Sequence, residues 1–327
     1  MSTPIIDARG LRKTYSVRGR GKDAPRTVEA VKGVDITVAA GEIVGFLGPN
    51  GAGKTTTLRM LTTLLDPSGG TATVNGHDLA KDPVGVRRSI GYVAQMGTTD
   101  PSAVAGEELV DQARLYGIDR GVAAERGKAL LSGLDLDGIW ERKCGTLSGG
   151  QRRRLDIAMG LIHEPTIVFL DEPSTGLDPQ SRANLWEHIR RVRDDFDTTV
   201  FITTHYMDEA DALSDRLLVI DHGEIVGAGT SDELKRSVGG DQVLLTASSA
   251  DAAAALAAAA TEVLGDVPHE IDGDVVRLTV PDGASALPTL LREMGSGHDV
   301  AGVEVRRPTL DDVFLTMTGR SLRDEEA

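Results

Sequence analysis

Short apolar runs alternate with helical repeats over the first two thirds of the chain. Residues 43–47, Ile-Val-Gly-Phe-Leu, lead through glycines into a segment with Leu58, Leu61 and Leu65 at helical spacing. Residues 167–170, Ile-Val-Phe-Leu, follow a helical pattern over 152–162, and residues 199–203 follow another over about 180–193. Continuous apolar strands interleaved with helices predict an α/β fold with a mostly parallel sheet covered on both faces. The segments 5–8, 34–38 and 71–74 alternate instead, and predict an antiparallel sheet appended to that core. A further helical stretch is predicted over about 107–134, within a helical subdomain of about 96–160. The polar segment 16–29, rich in Gly and Arg, reads as an exposed loop.

Beyond Gly227 the pattern turns polar and Gly-bounded, which predicts a first domain of 1–229 and a linker over 230–240. The remainder, 241–327, reads as a separate small α+β domain. Its predicted order is strand 242–246, helix 251–264, strand 267–271, strand 275–280, helix 284–294 and strand 302–306. Asp272-Gly273-Asp274 supplies a hairpin turn between the two middle strands. That order matches a ferredoxin-like unit, and a last helix is predicted over 310–318.

Composition narrows the function. The chain has 327 residues and a formal net charge of −15. Residues 241–327 hold 16 Asp and Glu against 6 Lys and Arg, so −10 of that charge lies in the last segment. Nucleic-acid binding depends on cations that displace counterions, so no nucleic-acid partner is expected. One local basic cluster, Arg18, Arg20, Lys22 and Arg26, reads as part of a solvated loop. The longest apolar run, over 252–260, is far short of the ~20 residues a membrane-spanning helix needs. The first ten residues carry no signal-peptide pattern. Cys144 stands alone, so no intrachain disulfide can form, and it reads as an unreactive residue near a loop in a reducing compartment. The chain is expected to stay in the cytosol, or to reach a membrane only through a partner.

Two segments carry chemistry. Residues 48–55 read Gly-Pro-Asn-Gly-Ala-Gly-Lys-Thr, the spacing G-x-x-x-x-G-K-[ST]. Gly48, Asn50, Gly51, Ala52 and Gly53 would wrap backbone N–H groups around phosphates, and the helix after Gly53 adds its positive end. Lys54 would reach the β- and γ-phosphates, Thr55 would ligate Mg²⁺, and Thr56 extends the same turn. The apolar run 167–170 then delivers Asp171 beside the metal, with Glu172 next in line to polarise a water. An apolar run ending in Asp-Glu is weak on its own and gains force only beside the phosphate loop.

Residues 147–151 read Leu-Ser-Gly-Gly-Gln. With the phosphate loop, this makes the chain resemble the nucleotide-binding subunits of ATP-binding cassette (ABC) transporters over about 5–234. The resemblance implies a P-loop nucleotide-binding domain with parallel core sheet, antiparallel subdomain and helical subdomain. Position by position, it implies that Tyr15 stacks on adenine and that Gln95 contacts Mg²⁺ and water. Leu147, Ser148, Gly149, Gly150 and Gln151 would grip ATP bound to the opposite subunit, with Ser148 and Gly150 on its γ-phosphate. Asp178, in Gly-Leu-Asp, fits the segment that crosses the dimer interface. His205, in Thr-Thr-His, fits the switch residue that holds the γ-phosphate. The physics agrees: neither anion site encloses ATP alone, and closure of two subunits would complete the cage.

A narrower resemblance is to the daunorubicin-resistance group of these ATPases, which pair with ABC-2 type permeases. It rests on residues 48–60, 152–156 and 203–211, and on the end segment 309–319, Thr-Leu-Asp-Asp-Val-Phe-Leu-Thr-Met-Thr-Gly. It implies an ATP-bound homodimer, an integral-membrane permease partner, and export of a drug-like or other hydrophobic cargo. Two departures stand out. The 16–29 segment is longer than that group leads one to expect. After Gln95, the usual Glu-Asn pair reads Glu107-Glu108, which touches the contacts to the permease. Arg152, Arg153 and Arg154 read as a solvated or salt-bridged helix face rather than as phosphate contacts. An alternative is a soluble ATPase of this type acting on nucleic acid or ribosomes. The single phosphate loop, the absence of long heptads and the acidic charge weigh against it.

Overall fold

The computed structural model describes residues 3–17, 26–294 and 300–319. The chain divides into two units that part between Ala228 and Gly229. In the first, β1 (Ile6–Val17) and β2 (Arg26–Val38) form a long antiparallel ladder. β3 (Ile43–Leu47) is buried throughout and runs into α1 (Lys54–Leu61). β4 (Gly69–Val74) and β5 (His77–Asp78) complete a four-stranded sheet in the order β2-β1-β4-β5. α2 (Pro83–Ser89) then returns the chain to β6 (Ile90–Val93).

The helical subdomain follows as α3 (Ala105–Leu115) and α4 (Arg120–Gly133), and α5 (Gly149–Leu161) leads back to β7 (Ile167–Asp171). α6 (Pro179–Phe196), β8 (Thr199–Thr204), α7 (Met207–Leu213), β9 (Arg216–Asp221) and β10 (Glu224–Gly229) complete the unit. The central sheet has the order β10-β9-β3-β8-β7-β6, and β9, β3, β8, β7 and β6 pair in parallel. Phe46, Phe201 and Phe169 come from three adjacent strands, and their rings meet at 5.6 Å with a tilt near 48°. This aromatic row locks β3, β8 and β7 side by side beneath the ends that carry the chemistry.

The second unit holds α8 (Ser231–Ser237), β11 (Asp241–Ala247), α9 (Ala250–Leu264), β12 (His269–Asp272), β13 (Val275–Val280), α10 (Gly283–Glu293), β14 (Val300–Arg306) and α11 (Leu310–Thr318). Its sheet is antiparallel, with order β12-β13-β11-β14. That order, with a helix in each crossover, is the ferredoxin-like arrangement. Val243, Leu245, Val276 and Leu278 are buried with Leu256, Ala260 and Leu290 of α9 and α10.

Two expectations need correction. The 16–29 segment is not all loop: Tyr15 pairs with Val28, Ser16 with Thr27 and Val17 with Arg26. Ladder hydrogen bonds satisfy this backbone while its side chains stay in water, so polar composition alone misled. Residues 18–25, with Arg18, Arg20 and Lys22, lie outside the described residues. The 230–240 segment is mostly helix α8 rather than linker. Thr230 and Glu233 form a reciprocal capping box and Leu234 is buried, so the Thr-x-x-Glu start signal outweighs the bounding glycines.

Candidate nucleotide site

The carboxyl ends of β3, β7 and β8 converge because the three strands are parallel neighbours, and open α/β sheets bind ligands at such ends. The loop after β3 turns through Gly51 and Gly53, at φ +79° and +107°. Gly53 is the N-cap of α1 and offers no side chain, so the first-turn N–H groups carry no side-chain cap. A Cβ at Gly48 would sit 2.2 Å from the Ile220 carbonyl oxygen, so backbone crowding alone demands glycine there.

Lys54, the first residue of α1, is 4 % exposed. Its Nζ donates to the carbonyls of Gly48 at 2.8 Å and Pro49 at 3.0 Å, which shape the loop from within. It also lies 3.2 Å from Glu172 Oε1. Thr55 donates to Asp171 Oδ1 at 3.1 Å, and Thr203 donates to the same oxygen at 2.7 Å.

Glu172 is the centre of the cluster. It has φ +43°, a left-handed conformation that a non-glycine residue holds only under constraint. Its N–H donates to the Thr203 hydroxyl at 3.0 Å. Successive strand side chains point to opposite faces; the turn at Glu172 breaks that alternation and brings both carboxylates to one site. Gln95, just beyond β6, donates from Nε2 to Glu172 Oε2 at 2.9 Å, and Thr175 donates to the same oxygen at 3.2 Å. His205 Nδ1 lies 3.2 Å from it, without the alignment of a hydrogen bond. Burial raises the Glu172 carboxyl, but His205 and Lys54 outweigh that effect and hold it at about 2. The side chain is therefore ionised in this state, with its lone pairs occupied.

Lys54, Gln95 and His205 thus meet around the Glu172 carboxylate, with Thr55 on the adjacent carboxylate of Asp171. Thr203 and Thr175, which the sequence reading passed over, belong with them. Their only signal was a hydroxyl at the end of an apolar strand or just after the Asp-Glu pair. The donor set of Thr55 hydroxyl, Asp171 carboxylate and Gln95 amide is hard oxygen chemistry that suits Mg²⁺.

The other expected residues take no part in this cluster. Tyr15 is 38 % exposed on β1, opposite the equally exposed Val28, with Lys13 Nζ 5.5 Å from its ring centroid. Leu147 is buried against the helical core. Ser148 is the N-cap of α5: its hydroxyl accepts from Gln151 N–H at 3.2 Å, and Gln151 Oε1 accepts from Ser148 N–H at 3.1 Å. Asp178 caps α6, accepting from Ser181 N–H at 2.9 Å and from its hydroxyl at 2.6 Å. Gly149 and Gly150 have no positive φ. A Cβ on either would make only ordinary contacts, 3.8 Å from Leu177 and 3.6 Å from Ser181.

The arginines after Gln151 do not form a solvated face. Arg153 is 7 % exposed and donates to three backbone carbonyls: Pro173 at 2.8 Å, Ala94 at 2.6 Å and Asp171 at 3.1 Å. Arg154 donates to the Leu134 carbonyl at 2.8 Å and lies 3.0 Å from His188 Nε2. Both point inward because α5 is wedged between the helical subdomain and the sheet, leaving little of its circumference to solvent. Glu107 and Glu108 occupy the first turn of α3, where the helix dipole favours acids.

The family model described as "ABC transporter" matches residues 31–175, and the model "ATP-binding protein DrrA1-3-like, C-terminal domain" matches residues 229–318. The daunorubicin/doxorubicin resistance ATP-binding protein DrrA of Streptomyces peucetius is 40 % identical over 98 % of this chain and 94 % of its own length. The linearmycin resistance ATP-binding protein LnrL of Bacillus subtilis is 34 % identical, covering 98 % of this chain and 100 % of its own. Nod factor export ATP-binding protein I of Ralstonia nicotianae is 36 % identical, over 99 % and 96 %. Among solved structures, cbiO1 of Clostridium perfringens, part of the ABC transporter complex cbiONQ, aligns with a TM-score of 0.61 at 25 % identity, over 72 % of this chain and 95 % of its own. A dimeric ATP-binding cassette in a post-hydrolysis state, bound to ADP and Pi, has the same fold, with a TM-score of 0.61 at 24 % identity over 69 % and 98 %. The chain belongs to the ATP-binding subunits of ABC transporters, ATPases that drive transport, and within them to the group of the daunorubicin-resistance ATP-binding proteins.

Proposed function

We propose that this chain is the ATP-hydrolysing subunit of an ABC-2 type exporter, and that two copies close around two ATP molecules to drive a separate membrane permease. The observation that carries the reading is the set of donors and acids gathered around Glu172. Backbone amides of the loop 48–53 and the start of α1 cradle the phosphates, and Lys54 and His205 face the γ-phosphate. Thr55, Asp171 and Gln95 would hold Mg²⁺, which would neutralise phosphate charge when bound. Tyr15, with Val28 beside it, offers an exposed apolar surface for the adenine.

Glu172 is the base. A carboxylate held at about 2 is a poor proton acceptor. The γ-phosphate competes for Lys54 and His205, and as they turn to it the carboxylate regains basicity. The base is thus unmasked only with nucleotide in place.

The grip from the partner rests on Gly149 and Gly150. Glycine in a helix costs about 1 kcal/mol against alanine, and neither φ nor packing within this chain asks for it. The demand is met if a phosphate from a second copy comes against that backbone, with the α5 N-terminus behind it. Hydrolysis then removes the group that joins the copies, and the dimer opens.

Cargo passes through the permease. Among the described residues, no helix is long and apolar enough to cross a membrane, in keeping with a peripheral subunit on the cytoplasmic face. The relatives named for drug resistance and export support a drug-like or other hydrophobic cargo.

Glu172→Gln tests the site. Turnover falls by about 10²- to 10⁴-fold, the usual contribution of a general base, while ATP still drives dimerisation in sedimentation runs. Normal turnover in the variant, or a strictly monomeric variant at saturating ATP, refutes the reading.

A further inference from the structure

We propose that Arg153 is a positioning residue: it holds Gln95 and Glu172 in register with each other and with the start of α5. A protomer's grip on its partner's nucleotide is thereby tied to its own hydrolytic centre. The inference rests on the roles of Gln95 and Glu172 proposed above.

The geometry is a closed ring. Nη1 of Arg153 donates to the carbonyl of Ala94, the residue before Gln95. Nη2 and Nε donate to the carbonyls of Asp171 and Pro173, which flank Glu172 on either side. The Gln95 to Glu172 hydrogen bond at 2.9 Å closes the ring on its far side. The separation of the two loops is thus set by one rigid guanidinium, two residues beyond the Leu-Ser-Gly-Gly-Gln segment. Asp156, one turn further along α5, adds a second tie to the loop after β6, accepting from Thr98 N–H at 3.1 Å. At Gly97 that loop runs so close to α5 that a Cβ would sit 2.8 Å from the Asp156 carboxylate.

A buried guanidinium is costly, and an apolar side chain would fill the same volume without that cost. No apolar side chain could bridge three carbonyls from two loops. Lysine could not either, because its ammonium is a single point with no planar fork. A shift of the α5 N-terminus on meeting the partner's phosphate is therefore passed to both loops at once. Misplacement by ~1 Å at such a centre costs about a hundredfold in rate.

The test is a double-mutant cycle in the full-length chain, with MgATP turnover as the readout and circular dichroism as the check on folding. Arg153→Gln lowers kcat by about a hundredfold and moves KM far less, since the loop 48–53, Lys54 and Thr55, which carry most of the proposed nucleotide contacts, lie outside the ring. On a Gln95→Ala background the same substitution costs clearly less than it does alone, because one of the two residues it positions is gone while Glu172 remains. Arg153→Lys keeps the charge, folds, and remains as slow as Arg153→Gln; if the glutamine variant fails to fold, the lysine variant carries the cycle. Unchanged kcat, losses that simply multiply with Gln95→Ala, or full rescue by lysine would each overturn the proposal. If Glu172→Gln turns over normally, the site reading falls first and this inference with it.

Discussion

At the scale of single residues, Glu172 shows how local strain and charge serve the site. Its left-handed backbone is kept by the Thr203 hydroxyl, and its carboxylate by Lys54, Gln95, Thr175 and His205. The sign of its pH dependence follows. The unfolded carboxyl takes up its proton near 4.5 and the folded one only near about 2. Glu172 therefore stabilises the fold fully above pH 4.5, and that contribution is lost as pH falls from 4.5 toward 2. The thermal midpoint of Glu172→Gln should fall less steeply than the wild type across that window. Parallel slopes in thermal melts would contradict the ionised, paired carboxylate. The Asp-Glu pair was legible as chemistry because it ends an apolar run in a chain that also carries the phosphate loop. The Thr203 and Lys54 contacts were not, because they join residues 31 and 118 positions away.

At the scale of elements, α5 does two jobs that its sequence shows unequally. The helical pattern was read over 152–162, whereas the helix begins at Gly149, on the capping box made by Ser148 and Gln151. The burial of Arg153 and Arg154 was not legible, because a triple arginine resembles a solvated face until the helix has neighbours on every side. The glycines of its first turn give a clean test. Gly150→Ala should leave the thermal midpoint unchanged or slightly raised, since the added methyl makes only ordinary contacts with Ser181 and alanine favours helix. ATP-driven dimerisation in a Glu172→Gln background should be abolished, as read by sedimentation. Dimers that form as before would remove the second anion site from the account. In the C-terminal unit, strand and helix periods predicted the element order closely. The 230–240 segment was misread because bounding glycines drew more weight than the Thr230 and Glu233 cap.

At the scale of the whole molecule, the chain carries the means to use ATP but, among its described residues, no helix able to span a bilayer. The proposed function pairs it with a separate membrane permease. Mild detergent extraction of cells expressing the tagged chain should recover an integral-membrane permease, and added ATP should alter its turnover in reconstituted vesicles. Recovery of ribosomal proteins alone would favour the soluble alternative. The acidic excess of −10 in residues 241–327 weighs against nucleic-acid binding by that segment.

The sequence by itself determined the alternation of strands and helices, the phosphate loop and the acidic strand end. Each of these is set by neighbours a few residues apart, through hydrogen-bond geometry and apolar period. Only the tertiary structure decided that Lys54, Gln95, Thr175 and His205 share the Glu172 carboxylate, that Thr203 holds its backbone, and that Arg153 clamps two loops. Those contacts exist because parallel pairing brings the ends of distant strands together, and no local pattern encodes which ends will meet.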